Sequence, residues 1–111
     1  MLGLMMDTPL LISSLMNHAE KNFPEQEIIS VASDDPNHRY TFKDAFKRTR
    51  QLANGLQKLG IQHGDRLGTL AWNDHRHFEL YYAVSCSGFI CHTVNPRLFP
   101  EQLVYIINHA E

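Results

Sequence analysis

The pattern that most constrains this chain is a strand, a helix and a second strand between residues 66 and 94. Arg66–Trp72 (RLGTLAW) and Phe89–Val94 (FICHTV) are short, largely apolar runs that are typical of buried strands. Asn73-Asp74 is a suitable N-cap for a helix that runs from His75 to about Gly88. Two strands joined by a helix pair in parallel with a right-handed crossover, so the sequence predicts an α/β fold.

A hairpin and a long helix are predicted before this unit. Glu27–Ser33 and His38–Thr41 have strand composition, and the turn-forming Asp34–Asn37 joins them. Thr41 and Asp44 resemble a capping box, so a helix is expected to begin there. Gly60 occupies the position of a C-terminal capping glycine.

The first residues of the chain predict an amphipathic helix. Thr8-Pro9 fits an N-cap followed by proline at the first helical position, and Phe23-Pro24 marks the end. The absence of a basic segment and the presence of Asp7 argue against a secretory signal. We expect this helix to dock on the core through its regularly spaced apolar residues: Leu11, Ile12, Leu15, Met16, Ala19 and Phe23.

The last predicted helix begins at Pro100 and ends near Asn108–Glu111, and no strand follows it in this sequence. In a βαβα pattern, the last helix is normally followed in sequence by a further parallel strand, which packs against that helix. The predicted architecture is therefore a β-hairpin plus a βαβα unit with flanking helices, in which the sheet is incomplete.

Composition excludes several classes of protein. With 111 residues and 43% hydrophobic side chains, the chain can form one core, which argues against intrinsic disorder. A net charge of −2 does not provide the excess positive charge that nucleic-acid binding needs. No apolar run approaches the roughly 18 residues of a transmembrane span. Two cysteines cannot form a disulfide scaffold, and this usage suits the reducing cytoplasm, where we expect the protein.

No familiar catalytic or metal motif is present in the sequence. His75 and His77 lie two apart on a predicted helix, so their side chains diverge by about 200° and would not share an ion. Cys86 and Cys91 lack the CxxC spacing and are predicted to be small buried hydrophobes. The glycine-rich phosphate motifs and the GxSxG nucleophile elbow are also missing. We therefore assign no catalytic, cofactor-binding or metal-binding residue.

The sequence predicts a ligand site at the carboxyl ends of the two parallel strands, because ligands of open α/β sheets bind outside these ends. Trp72, Asn73, His75 and Arg76 follow the first strand, and Asn95 and Arg97 follow the second. Of these, Trp72, Asn73 and His75 are the candidate residues of a ligand wall. Asn73 has a competing role as a helix cap. The helix after Thr41 also has a basic face, which suits either solvent or an anionic ligand: Lys43, Lys47, Arg48, Arg50 and Lys58.

Residues 64–111 (GDRLGTLAWNDHRHFELYYAVSCSGFICHTVNPRLFPEQLVYIINHAE) resemble the N-terminal region of adenylate-forming acyl-CoA synthetases, the AMP-binding superfamily. HTVNPRL and YIINHAE carry most of the resemblance, and MLGLMMDTPLLISSL and HRYTFKDAFKRTRQLANGLQKLG extend it. The likeness is strongest to bacterial medium- and long-chain fatty-acid–CoA ligases and 3-methylmercaptopropionyl-CoA ligases. It implies that residues 1–111 are an N-terminal fragment of the adenylate-forming domain, with no complete second domain.

The resemblance implies a two-step ligase. Such enzymes use ATP and magnesium to convert a fatty acid or other small carboxylate to an acyl-adenylate, and then transfer the acyl group to CoA. The family's phosphate loop, ribose-binding acid and C-terminal lysine have no counterpart in this sequence. The segment is therefore expected to be inactive alone. The resemblance implies that it supplies sheet scaffold and some wall near the acyl and CoA channels, and, as in long-chain members, part of a homodimer contact.

Two alternatives remain at this stage. The first is a non-catalytic module that oligomerises or pairs with a full-length partner through its unfinished sheet edge, since an uncovered edge is adhesive. The second is a flavodoxin-like nucleotide binder, which is disfavoured because no phosphate loop follows the first parallel strand. A reading frame that continues past Glu111 would favour the ligase, and a stop codon there would favour the module.

Overall fold

A computed structural model describes residues 3–4 and 6–111 of the chain. Four helices and four short strands occur within these residues, in the order α1 (Ile12–Asn22), β1 (Glu27–Ser30), β2 (His38–Thr41), α2 (Phe42–Lys58), β3 (Arg66–Leu70), α3 (His75–Cys86), β4 (Ile90–Val94) and α4 (Pro100–His109). They form two separate two-stranded sheets in this part of the chain. The α/β class and the incomplete sheet expected from the sequence are thus confirmed.

The hairpin and α2 form as predicted. β1 and β2 pair antiparallel, with Glu27 opposite Thr41 and Ser30 opposite His38. The Thr41 hydroxyl accepts a hydrogen bond from the Asp44 backbone N–H, and the Asp44 carboxylate accepts one from the Thr41 N–H. This reciprocal capping box satisfies two of the donors that a helix start leaves without partners.

The strand–helix–strand unit is also confirmed, although β3 ends at Leu70 rather than Trp72 and β4 begins at Ile90 rather than Phe89. β3 and β4 pair in parallel, with Arg66 opposite Ile90 and Leu70 opposite Val94. The Asp74 carboxylate caps α3 by accepting hydrogen bonds from the backbone N–H groups of Arg76 and His77. Gly88, between α3 and β4, has φ +78°, in the left-handed region that favours glycine.

The core lies between α2 and α3. Phe46 of α2 is almost completely buried, and its ring packs against Phe78 and edge-on against Tyr82 of α3. An ion pair lies beside this aromatic cluster: the Arg48 guanidinium donates to both carboxylate oxygens of buried Glu79 at 2.7 and 3.3 Å. α2 and α3 are therefore held together by apolar packing and by the Arg48–Glu79 ion pair.

The prediction for the start of α1 is wrong. The helix begins at Ile12 instead of Pro9, and Leu11 is its extended N-cap with no side-chain hydrogen bond. A short helix is stabilised mainly by packing, and the described residues before Ile12 are all exposed. Only Met16 of the apolar face is buried, so α1 docks through less of its surface than expected.

Two predictions for the strands also need correction. β1 ends at Ser30 rather than Ser33, because β2 pairs with residues 27–30 alone. β3 and β4 are less buried than expected: Leu70 and Ile90 are about half exposed. A sheet of only two strands covers few of its side chains, which explains the difference.

The helix α4 has no buried residue. Pro100 lies in its first turn, and the Phe99 backbone N–H donates to the Gln102 side-chain oxygen, so the start of the helix is well defined. Val104, Tyr105 and Ile107 are nevertheless largely exposed. In the described part of the chain, no helix combines the length and apolar character needed to cross a membrane.

Candidate functional site

A cleft of about 420 Å³ lies at the carboxyl ends of β3 and β4, where the sequence predicted a ligand site. The turns after the two strands form its sides, and the first half of α3 forms its floor. Its lining residues are Ala71, Trp72, Asn73, His77, Tyr81, Thr93, Val94, Asn95, Pro96 and Arg97. Two of the three candidate wall residues, Trp72 and Asn73, are therefore brought together here.

An exposed cation and an exposed aromatic ring face each other across the cleft. The Arg97 guanidinium carbon lies 5.4 Å from the centre of the Trp72 ring, within the range of a cation–π contact. The Arg97 backbone N–H donates to the Asn95 side-chain oxygen at 3.0 Å, which fixes the turn after β4. Among the described residues, Arg97 makes no ion pair with a carboxylate. Its charge is thus available to an anionic ligand.

The floor of the cleft contains a buried histidine that the sequence reasoning missed as a site residue. His77 Nε2 lies 3.0 Å from the Thr69 hydroxyl of β3, and the two groups form a hydrogen bond. The His77 ring also stacks on Tyr81, one helical turn later, with a centroid separation of 4.6 Å. The four-residue spacing of His77 and Tyr81 was the signal available in the sequence, because such residues share a helix face.

His75, the third candidate wall residue, lies outside this cleft. It is buried against the hairpin, where its backbone N–H donates to the Ser30 hydroxyl at 2.9 Å and its ring stacks on His38. Burial lowers the pKa of His75, and the neighbouring His38 lowers it further. The divergence of His75 and His77 expected from helix geometry is therefore present: one faces the hairpin and the other faces β3.

The chemistry of the cleft is that of binding. The exposed guanidinium suits a phosphate group, and the exposed indole suits a flat ring. Within residues 3–4 and 6–111, no cluster of three or more His, Cys, Asp or Glu side chains has the arrangement needed for a metal ion. Cys86 and Cys91 are only partly buried, not fully buried as predicted. This partial burial raises the pKa of both thiols, which makes them poor nucleophiles near neutral pH.

The family model for the AMP-binding enzyme matches residues 16–111, which is most of the chain. The chain belongs to the AMP-binding enzyme family. It is 56% identical over all 111 residues to the 3-methylmercaptopropionyl-CoA ligase of Ruegeria lacuscaerulensis and 49% identical to the medium-chain-fatty-acid–CoA ligase of Ectopseudomonas oleovorans. These matches confirm the resemblance seen in the sequence.

The match to this AMP-binding enzyme family covers only part of each relative. The chain spans 21% of the Ruegeria ligase and 20% of the Ectopseudomonas ligase. The crystal structure of VinN superposes with a TM-score of 0.81 at 19% identity, over 90% of this chain and 26% of that one. At this identity the superposition shows a shared fold only.

In this AMP-binding enzyme segment, two cations of the basic face of α2 are used internally. Arg48 pairs with Glu79 of α3, and Arg50 pairs with Glu20 of α1. These contacts raise the pKa of both guanidinium groups and lower that of the Glu20 carboxyl. Arg48 and Arg50 therefore connect helices, and the anion-accessible cation of the candidate site is Arg97.

Proposed function

We propose that this chain is the N-terminal segment, residues 1–111, of the adenylate-forming domain of an ATP-dependent acyl-CoA ligase. The complete enzyme would convert a fatty acid or other small carboxylate to an acyl-adenylate and then to an acyl-CoA. The observation that carries this proposal is the 56% identity, over every residue of the chain, to a 3-methylmercaptopropionyl-CoA ligase. The 49% identity to a medium-chain-fatty-acid–CoA ligase supports the same reaction class.

Within that enzyme the segment would act as scaffold and as one wall of a ligand channel. Trp72 and Asn73 occupy the turn after β3, and Arg97 occupies the turn after β4. CoA and the acyl-adenylate both carry a flat ring and phosphate groups, which match the exposed indole and the exposed guanidinium. His75 would support this wall from behind by holding the β3–α3 turn against the hairpin.

ATP, magnesium and CoA belong to the complete enzyme in this proposal. When bound there, ATP would supply the adenylate that activates the carboxylate. No step of that reaction is assigned to a side chain of this segment, which would be inactive alone. We further propose a cytoplasmic enzyme, with a homodimer as its assembly.

The proposal is tested by a segment exchange. Residues 1–111 replace the matching segment of the Ruegeria ligase. ATP–pyrophosphate exchange and CoA-thioester formation are then measured with 3-methylmercaptopropionate as the carboxylate. We expect the hybrid to retain both activities and the 111-residue chain to have neither. A folded hybrid that binds ATP without catalysing exchange would contradict the proposal.

Two arginine variants of the hybrid test the channel wall. Arg97→Gln removes the cation above Trp72, and we expect kcat/KM for CoA to fall about tenfold or more, since a hydrogen bond to a charged group contributes roughly 1.5–3 kcal/mol. Arg39→Gln is the matched control, because Arg39 pairs with Glu27 on the hairpin, outside the cleft. Equal effects of the two substitutions would refute the role of Arg97.

A non-catalytic module that pairs with a full-length ligase is the second candidate. The exposed Val104, Tyr105 and Ile107 of α4 favour it, because such a surface is adhesive when uncovered. Calorimetric titration of the Ruegeria ligase with the 111-residue chain separates the two candidates. Saturable binding together with an inactive hybrid would favour the module, and an active hybrid without such binding would favour the ligase segment.

A further inference from the structure

Two histidine rings connect the β1–β2 hairpin to the beginning of α3. His38 of β2 and His75 of α3 stack with their ring centres 3.7 Å apart and their planes 15° from parallel. Tyr40 closes one side of the pair, with its ring nearly perpendicular to that of His75. His75 is 5% exposed, so this contact is part of the packed interior.

The hydrogen bonding of the two rings is incomplete. His38 Nδ1 lies 3.1 Å from an Asp35 carboxylate oxygen, which holds the ring in place. The buried atoms His38 Nε2 and His75 Nδ1 have no hydrogen-bond partner in the part of the chain that the structure describes. In a neutral imidazole such an atom can be the nitrogen that carries no proton. In a protonated ring both nitrogens carry protons, so this atom would be a buried N–H donor without a partner, which is costly.

The charges around the pair do not remove this penalty for a second proton. Of the two rings, Asp35 contacts that of His38, and Asp34 of the hairpin loop pairs with Arg76 of α3. On α3, Asp74 caps the helix and Glu79 pairs with Arg48 of α2. Both carboxylates act to raise the pKa of His75, but burial and His38 outweigh them and the pKa is lowered. On α1, Glu20 is engaged by Arg50. The remaining ionisable neighbour is Tyr40, whose pKa burial raises above its usual range, so it stays neutral.

We propose that the stacked His38–His75 pair is a pH-sensitive clasp, closed while at most one of the two rings is protonated and released when both are. Two imidazolium rings at this separation repel each other, and the buried one also loses its hydration. The lowered pKa of His75 agrees with this arrangement. Opening hydrates the rings and relieves their repulsion, so acidification shifts the equilibrium toward the open hairpin.

The clasp has a consequence for the channel wall proposed above and extends that proposal to regulation. A groove of about 510 Å³ separates the end of the hairpin from the β3–α3 turn, and its walls are Val31, Ala32, Ser33, Trp72, Asn73 and Asp74. The His75 N–H bond to Ser30 and the stacked rings hold the two walls together. Release of the clasp frees the turn that carries Trp72, the sole tryptophan of the chain.

The test is a pH series on the 111-residue chain by NMR, with no ligand required. The backbone amide of His75 bridges the hairpin and α3, so its hydrogen-exchange protection measures the closed state. We expect its protection factor to fall about tenfold or more between about pH 7.5 and pH 5, since opening is coupled to proton uptake. The Thr69 amide in β3 should keep its protection factor over this pH range. Trp72 fluorescence should change over the same pH range in which the His75 amide loses protection.

Matched variants connect the effect to the two rings. His38→Phe keeps a stacked aromatic ring that cannot be protonated, and we expect it to abolish the pH dependence of the His75 amide. His18→Phe, at an exposed histidine of α1, should leave that dependence intact. Unchanged protection of the wild-type His75 amide across the pH range would overturn the clasp, whether or not His38→Phe folds. A wild-type pH response in a folded His38→Phe would overturn it equally.

Discussion

Replacing Arg48 by methionine removes the guanidinium that connects α2 to the buried carboxylate of Glu79 on α3. The pair has two hydrogen bonds, of 2.7 and 3.3 Å, and Glu79 is only 4% exposed. Methionine retains most of the aliphatic stem of arginine, so packing changes little. The substitution therefore leaves a charged acceptor in the core without its principal partner.

The expected loss follows from the asymmetric burial of the pair. A hydrogen bond to a charged group contributes roughly 1.5–3 kcal/mol, and an unpaired buried charge costs more. Half of the Arg48 side chain is exposed, and water therefore screens part of the interaction. We expect Arg48→Met to lower the free energy of unfolding by about 2 kcal/mol, or the Tm by about 10 °C. Arg50→Met breaks the more exposed Arg50–Glu20 pair and should cost less than about 1 kcal/mol.

Urea unfolding followed by circular dichroism and by Trp72 fluorescence measures these differences. The double variant Arg48→Met/Glu79→Leu removes both charges, and it should be more stable than Arg48→Met alone by about 1 kcal/mol or more. Equal losses in Arg48→Met and Arg50→Met, or a double variant less stable than Arg48→Met, would refute the argument that burial of Glu79 determines the cost.

Four further outcomes are expected. Gly88→Ala should lower the free energy of unfolding in urea by about 1–2 kcal/mol, because the φ of Gly88 is +78° and a Cβ there would lie 2.4 Å from the His63 ring. Adding His63→Ala to this variant should restore only the part of the lost stability that is due to the clash. Asp74→Ala should cost about 1 kcal/mol through loss of the α3 cap, and Asp74→Asn much less. The pKa of His75 is lowered from 6.5 in the folded state, so the unfolded state binds the proton first as the pH falls. The contribution of His75 to the free energy of unfolding should therefore be complete above about pH 6.5 and be lost as the pH drops through the lowered pKa. His75→Gln should flatten that pH profile. Hydrogen exchange should show the α4 amides near Tyr105 as less protected than those of β3 near Thr69, and equal protection in a monomer would contradict the account of α4.

The elements that local sequence chemistry specifies were predicted correctly. The Thr41–Asp44 capping box, the Asp74 cap and the turn at residues 34–37 each follow from side chains that bond their own backbone neighbours. The start of α1 was missed because Thr8-Pro9 is compatible with a helix start but has no packing partner. Local propensity permits a helix there, and tertiary contact determines where it begins.

The candidate site was predicted in place but not in full. Trp72, Asn73 and Arg97 follow from the rule that ligands gather at the carboxyl ends of parallel strands. The orientation of α3 about its own axis cannot be read from that rule. It turns His77 toward β3 and His75 toward the hairpin, because Asp74 fixes the first turn and the apolar residues of α3 face α2. The Arg97–Trp72 contact depends on two turns distant in sequence, so no local pattern encodes it.

The intact mass of the native gene product in its source cells, detected through peptides of residues 12–111, decides whether this chain is a segment of a larger ligase. We expect a polypeptide several times heavier than 12.8 kDa, with fatty-acid-dependent ATP–pyrophosphate exchange in the same purified fraction. A native product of 12.8 kDa without exchange activity would contradict this expectation.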